Sequence, residues 1–511
     1  MPASPAENAY DRVAYPSRPY ADAHPQHLAM LATLFGLRPQ RPDRARVLEI
    51  GCGAGGHLLP MALLMPETTF VGVDPAQTAI DAAQAQADRL GLRNVRFHAV
   101  SFTELARVEP SGVPFDYITA HGVYSWISSD LREAMLTTVR QWLAPDGVAY
   151  VSYNALPGWR SRGALREIMR YHTASMEDPA VRVSQARAVI AFLASAVPTG
   201  NEYSALLCSE RDRMQKWDDA YLFHDHLSDE NTPFWFHEFV ADAERAGLGY
   251  VCEAHLSTMQ AESLDPAIAE VIHGLREDVV GREQYLDFLR NRSFRQTLLC
   301  HRDRTVVRDL DGARLRTLSF VSRANPTSSD ALPTQFRTGD GIELDTTDAV
   351  AQAMLVELAE QRPSPLAFDA LLDAVHRRLG TSGDRETRAS ELGQHLLRCY
   401  ALHGVVKPYA WAPTLCTRVS ERPQIWSYAR EQAAHGSRDI TNLLHENMTI
   451  EDHDLRLLAL CDGTRSRSAL LDDAQRLFPT VRNLPEYLED FLQRCAVQAL
   501  LVEPESLVQS P

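Results

Sequence analysis

The sequence predicts an α/β fold: an open, doubly wound parallel sheet with a helical insertion, followed by two small winged-helix-like α+β modules. Three observations predict it. Short apolar strands alternate with amphipathic helices from residue 45 onward, the rhythm of a parallel sheet. A glycine cluster, "LEIGCGAGG", closes the first strand, at the end of the sheet where such folds bind ligands. The last third of the chain contains an internal repeat. At 511 residues the chain is too long for a single ordinary core, which fits this division.

"ARVLEI" is the first strand, and "HLLPMALLM" the helix after it, with Pro60 tolerable in a first turn. "TFVGVD" is the second strand, followed by an Ala-rich helix from about Pro75 to Leu90. "NVRFHAV" and "FDYITA" are the third and fourth strands. The next helix takes Asp130 as its N-cap, with Glu133 three residues on in the capping-box pattern. It stops at "APDG", and "VAYVSYN" is the fifth strand. Residues 157–235 then read as mostly helical, with Arg162, Arg166 and Arg170 forming a basic stripe. Strand–helix order returns at Phe236 with an amphipathic helix, a stop at Gly247 and a strand; "FRQTLLCHR" is a further strand.

These elements divide the chain. Residues 1–156 are the first part of the core with an N-terminal arm, 157–235 the insertion, and 236–321 the completion of the core. A polar linker, 322–333, leads to modules at 334–412 and 413–511. "ALLDAVHRRL" (370–379) matches "ALLDDAQRLF" (469–478), and "LRCYALHGVVKP" (397–408) aligns on "QRCAVQALLVEP" from Gln493, with Cys399 opposite Cys495. Neither module carries a basic recognition helix, so packing or partner recognition is the better reading than DNA binding. An insertion of this length exposes apolar helix faces unless something covers them. A homodimer interface through Ile190, Phe192 and Leu193 is the expectation.

Charge and cysteine usage exclude several classes. Lys plus Arg number 51 against 67 Asp plus Glu, a net charge of −16 that repels nucleic-acid backbones. Eight cysteines without a CxxC pair form neither a zinc pattern nor a disulfide scaffold. "HDH" at His224–His226 has a strand-like spacing within helical surroundings, so packing is preferred to metal binding, and no metal is expected. No stretch reaches the roughly 18 apolar residues that span a membrane, and the N-terminal stretch lacks a signal-peptide apolar segment. The expectation is a cytoplasmic protein with no membrane insertion.

The glycine cluster carries the chemistry. Gly51, Gly53 and Gly55 let the backbone turn sharply and let a ligand approach. Gly51, Gly53 and Gly56 also satisfy the dinucleotide pattern, so the glycines alone do not choose a cofactor. Asp74, ending the second strand, can accept both ribose hydroxyls of S-adenosylmethionine or of NAD. Glu49 lies two residues before Gly51. An acid there suits a methionine ammonium and repels a pyrophosphate.

The continuation "FDYITAHG…LAPDGVAYVSYN" resembles class I methyltransferases, with their "FD" strand and "L.P.G" turn. "YPSRPYADAHPQHLAMLATLFGL", "HGVYSW", "SYNALPGW", "HDHLSDENTPFWFHEF" and "FLRNRSFRQTLLCHRD" narrow the resemblance. Together they are similar to the bacterial methyltransferases with a methyltransferase regulatory domain. That group contains the protein-lysine methyltransferases acting on rickettsial outer-membrane proteins. The match is strong over residues 10–303 and looser over the repeat. It implies a Rossmann-like class I core, S-adenosyl-L-methionine as cofactor, a regulatory region within 236–321, a dimerising insertion and a protein-lysine acceptor. Cys52 joins Gly51 and Gly53 in the cofactor loop; Ser101 stands where many class I enzymes have an adenine-binding acid, with Phe102 as its apolar neighbour. Two alternatives stand beside this reading: small-molecule O- or N-methylation, and a non-catalytic S-adenosylmethionine-binding scaffold. Glu49, the glycine loop and Asp74 speak against the scaffold and do not separate the other two.

The fourth strand ends in "AHGVYSWI", which holds no carboxylate, lysine or cysteine. Methyl transfer from a pre-activated sulfonium needs alignment more than a nucleophile on the enzyme. The Asn/Asp-Pro-Pro-aromatic run of base and glutamine N-methyltransferases is absent. Tyr124 and Trp126 are the candidates for an apolar acceptor channel, gaining from cation–π contact and favouring a neutral lysine. Deprotonating lysine at pH 7 otherwise costs about 4.6 kcal/mol. Both aromatics equally suit packing of the loop. His121 and Gly122 are placed beside the cofactor, although His121 suits a hydrogen bond within the loop as well. Tyr15, Ser17 and Tyr20 in the arm suit a lid over the methyl donor or the packing of a tail.

Overall fold

Strand β1 (Arg46–Ile50) is buried along nearly its whole length, as expected of a strand covered on both faces by helices. In the computed structural model, which describes residue 13 and residues 15–262, 264–275, 277–380, 384–416, 418–479 and 483–503, it lies inside a seven-stranded sheet. The other strands are β2 (Thr69–Asp74), β3 (Val95–Ala99), β4 (Phe115–Ala120), β5 (Leu143–Asn154), β6 (Leu248–Glu253) and β7 (Phe294–His301). The order is β3-β2-β1-β4-β5-β7-β6. β1 has β2 on one side and β4 on the other, so the order reverses there and opens a crevice at the strands' carboxyl ends. The sheet is mixed rather than wholly parallel: β7 runs antiparallel to both β5 and β6.

Helices α1 (Pro25–Leu34), α2 (Leu58–Leu64), α3 (Gln77–Arg89) and α4 (Ser129–Trp142) belong to this core. The N-cap of α4 is Ser128, not Asp130; Asp130 sits in the first turn, where its charge complements the helix dipole. The insertion is four helices: α5 (Gly158–Thr173), α6 (Pro179–Ala196), α7 (Glu202–Met214) and α8 (Asp219–Leu227). They share a separate core of Leu165, Met169, Ile190, Leu207, Leu222 and Phe223. Ile190 is thus internal, while Phe192 is 64% and Tyr171 88% exposed. The arginines of α5 do not form an open basic stripe. Arg166 is buried and donates to the Ser228 carbonyl, Arg170 pairs with Asp229, and Arg162 lies over the Trp159 ring.

Helix α9 (Phe236–Arg245) stops at Gly247, whose φ of +83° favours glycine. After β6 come α10 (Pro266–Gly274) and α11 (Val279–Arg290), then β7. Arg295 of β7 is wholly buried, and its guanidinium meets Glu253 at 2.7 Å, Asp287 at 2.9 Å and Glu283 at 3.3 Å. This cluster ties α11 to the far end of the sheet.

The stretch read as a linker is structured in its first half. β8 (Ser319–Ser322) ends in it and β9 (Ala324–Pro326) lies within it. β9 pairs with β10 (Gln335–Thr338), which pairs with β11 (Glu343–Asp345). After α12 (Ala349–Glu360), β12 (Leu366–Ala367), α13 (Phe368–Arg378), α14 (Arg385–Ala401) and β13 (Val406–Tyr409), β12 and β13 flank β8. The second module holds β14 (Gln424–Ile425), α15 (Ser427–Ala434), the hairpin β15 (Asp439–Thr441) and β16 (Asn447–Thr449), and α16 (Asp452–Leu460). It ends with α17 (Arg467–Leu477), α18 (Leu484–Val497) and β17 (Leu501–Val502), which pairs with β14. The repeat is the helix–helix–strand unit α13-α14-β13 against α17-α18-β17, with Cys399 and Cys495 both buried. Among the described residues no helix is long and apolar enough to cross a membrane.

Candidate functional site

After Ile50 the chain turns through Gly51, Gly53 and Gly55, all with positive φ, and Gly51 N–H donates to the Val73 carbonyl at 2.8 Å. A β-carbon on Gly51 would strike Val123 at 2.6 Å. At Gly53 and Gly122 it would meet nothing within 4 Å, so the backbone at both points borders open space. Asp74 braces this loop: its carboxylate accepts from Gly53 N–H at 3.0 Å and from Ala76 N–H at 2.9 Å. Glu49 is buried, and among the described residues its Oε2 has no hydrogen-bond partner. Burial, then the nearby Asp74, pushes its carboxyl well above the usual range. Burial and the same two acids raise the Cys52 thiol, which leaves it an inert wall rather than a nucleophile.

Ser101 caps a turn after β3, accepting from Thr103 N–H at 3.3 Å, and Phe102 beside it is buried. At the end of β4, His121 Nδ1 lies 2.9 Å from the Tyr150 hydroxyl, and Gly122 N–H donates to Ser152 Oγ at 2.8 Å. Burial lowers the His121 imidazole to about 4, so it is neutral at pH 7. Sequence reasoning missed the chain behind it. Gln296 Nε2 donates to the Tyr150 hydroxyl at 2.9 Å and to Asp22 at 3.4 Å, and Asp22 pairs with His255 at 3.0 Å. The one signal for Tyr150 was its place in β5, in register with Thr119 of β4.

The arm crosses the glycine loop. Ser17 Oγ accepts from Gly56 N–H at 2.7 Å, and Tyr20 N–H donates to His57 Nδ1 at 3.2 Å. The Tyr20 ring stacks on His121 with centroids 3.7 Å apart. Tyr15 goes elsewhere: its hydroxyl donates to Asp225 at 3.4 Å and its ring meets His224, both on α8. His224 also lies 2.7 Å from the Val13 carbonyl, and His226 stacks on Trp217. Among the described residues no His, Cys, Asp and Glu group could hold a metal ion.

Tyr124 packs at the edge of a cavity of about 350 Å³ on the α4–α9 side of the loop, lined also by Arg132, Phe234 and Asp242. It is wholly buried among Tyr153, Phe234 and Phe239, and its hydroxyl donates to Asp242 of α9 at 3.0 Å. The intervening Ser125, which the sequence did not single out, accepts from Asn154 N–H at 2.8 Å and ties the loop to the end of β5. Trp126 is half-buried at the loop's outer turn.

An unpartnered buried carboxylate, an acid at the end of β2 and two glycines facing open space fit an adenosyl sulfonium carrying an ammonium and a ribose. The fold and the site define a class I S-adenosylmethionine-dependent methyltransferase, and the family described as methyltransferase domain matches residues 48–149. The families described as predicted methyltransferase regulatory domain and as PKMT, C-terminal winged helix domain match residues 218–301 and 421–482. An uncharacterized protein of Rickettsia prowazekii, RP789, is 32% identical over 480 residues, covering 91% of this chain and 85% of its own length. The structure of PKMT2 from Rickettsia typhi in complex with AdoHcy superposes with a TM-score of 0.85 at 28% identity, covering 96% of this chain and 100% of that one. The chain therefore belongs to the bacterial class I methyltransferases with a methyltransferase regulatory domain.

Proposed function

We propose that the protein transfers a methyl group from S-adenosyl-L-methionine to a lysine side chain of a protein substrate. The likeness to PKMT2 from Rickettsia typhi over nearly the whole chain supports this reading above any other observation. When bound, S-adenosylmethionine supplies a methyl group already activated on a sulfonium. In this reading Glu49 faces the methionine ammonium and Asp74 the ribose hydroxyls. Gly51, Cys52 and Gly53 let the loop approach through its backbone, and Ser101 and Phe102 border the adenine. His121 and Gly122 border the point of transfer, Tyr20 and Trp126 wall the acceptor side, and Ser17 holds the arm closed over the loop.

The walls act by what they lack. A lysine attacks only as the neutral amine, and dry, uncharged surroundings shift it that way. His121 is desolvated and neutral, so it adds no charge to the wall. Its ring is fixed by Tyr150 on one side and Tyr20 on the other, which serves the alignment that an in-line displacement requires. The insertion, in the same reading, pairs with that of a second copy.

The test is incubation of the protein and labelled methyl donor with a cell lysate, followed by acid hydrolysis of the protein fraction. N-methylated lysine should carry the label. Label confined to the small-molecule fraction, or lost from protein in mild base as from an ester, would overturn the reading.

A further inference from the structure

One side chain of the C-terminal half reaches the glycine loop. His57 directly follows Gly56 and leads into α2. Its Nδ1 accepts the Tyr20 N–H, so that nitrogen carries no hydrogen. His445 Nε2 lies 2.8 Å from the same Nδ1 and is therefore a second donor, sharing that nitrogen's single in-plane lone pair with the Tyr20 N–H. Both rings are buried, and their centroids are 4.8 Å apart, edge to face. His24, the N-cap of α1, flanks His445 at 4.9 Å.

His445 occupies the turn between β15 and β16 with a φ of +62°, a conformation that glycine adopts more readily than histidine. The turn does not need the ring: Asn442 Oδ1 accepts from Leu444 N–H at 3.0 Å and from Glu446 N–H at 2.9 Å. A histidine thus stands at a position suited to glycine, with its ring against the residue that closes the glycine loop.

We propose that His445 is a positioning residue for the methyl-donor site: acting through His57, it holds the end of the glycine loop and the Tyr20 arm in fixed relation. Three contacts support this. Ser17 pins Gly56, Tyr20 N–H pins His57, and the Tyr20 ring rests on His121 at the point of transfer. His445 completes the set from the second winged module and touches no reacting atom. The proposal rests on the methyltransferase assignment and not on the lysine acceptor.

The test uses the full chain, S-adenosylmethionine as the calorimetric ligand, and two variants. His445→Gly should raise the Kd about tenfold, the loss of one buried hydrogen bond at a binding site. Its melting temperature should stay within about 2 °C, because glycine suits the turn. The Tyr20 amide should exchange its hydrogen faster. His445→Gln restores a side-chain N–H donor and should return the Kd to within about threefold of the wild type. An unchanged Kd in His445→Gly overturns the proposal. So does a glutamine variant no better than the glycine one, or a glycine variant that loses its cooperative melt.

Discussion

At the scale of single residues, the role proposed for Glu49 makes donor binding depend on protons. Its carboxyl is raised well above 4.5 by burial first and by Asp74 second. A cationic ammonium beside it favours the ionised form, so binding at a pH below the raised pKa drives a proton off. Affinity should therefore rise with pH across that range and level off above it. Calorimetry in buffers of different ionisation enthalpy should report proton release, and Glu49→Gln should abolish it while weakening binding. A binding enthalpy independent of buffer would count against this. Tyr124 belongs to a different ledger. Tyr124→Phe removes a buried hydroxyl from Asp242, and should lower stability by about 1–2 kcal/mol in chemical denaturation with little change in donor affinity. The aromatic character of this loop was legible in the sequence. The direction of each ring was not, because Tyr124–Trp126 form a single 3₁₀ turn, whose successive side chains point about 120° apart.

Among the elements, β7 is the one that locks the regulatory region to the core. Its Arg295 is surrounded by Glu253, Glu283 and Asp287, and Arg292 adds a contact to Asp287 at 3.0 Å. Arg295→Met should leave buried acids short of their counter-charge and cost about 3–5 kcal/mol, read by urea denaturation. A loss below about 1 kcal/mol would mean that the acids take up protons without strain. Strands β1 to β5 were legible because each is an apolar run punctuated by glycine, aspartate or a helix. The direction of β7 was not, since nothing within "FRQTLLCHR" marks which way its neighbours run. Partners across the sheet decide it. The same holds for β9, whose polar residues suit a linker until β10 supplies the ladder. It holds also for Asp22, Gln296 and His255, which come from three distant segments and meet only in space.

At the scale of the whole molecule, the insertion presents an apolar surface that its own core does not use. Phe192 and Tyr171 are its most exposed large apolar side chains among the described residues, and Val181 is 47% exposed. If the insertion pairs with that of a second copy, as proposed, Phe192→Glu should shift the protein from dimer to monomer in multi-angle light scattering, with its melting temperature nearly unchanged. A wild-type protein that is already monomeric would sink the idea. The sheet order carries a consequence for synthesis. β5 ends at Asn154, and its neighbour β7 begins only at Phe294, with the insertion, β6 and three helices made in between. At about 5–20 residues per second, β5 stands as an open edge on the ribosome for on the order of ten seconds. β6 is finished before β7 and has nothing to pair with, because β7 lies between it and β5. Unpaired edges invite pairing with another chain. The four helices of the insertion are the first segment to emerge behind that edge, and they carry a core of their own. They can fold while the sheet waits, separating neighbouring nascent chains. Ribosome-stalled chains ending shortly after Leu227 should therefore resist protease within α5–α8 while the half-sheet remains cleavable. Equal cleavage of both would show that the insertion needs the finished sheet.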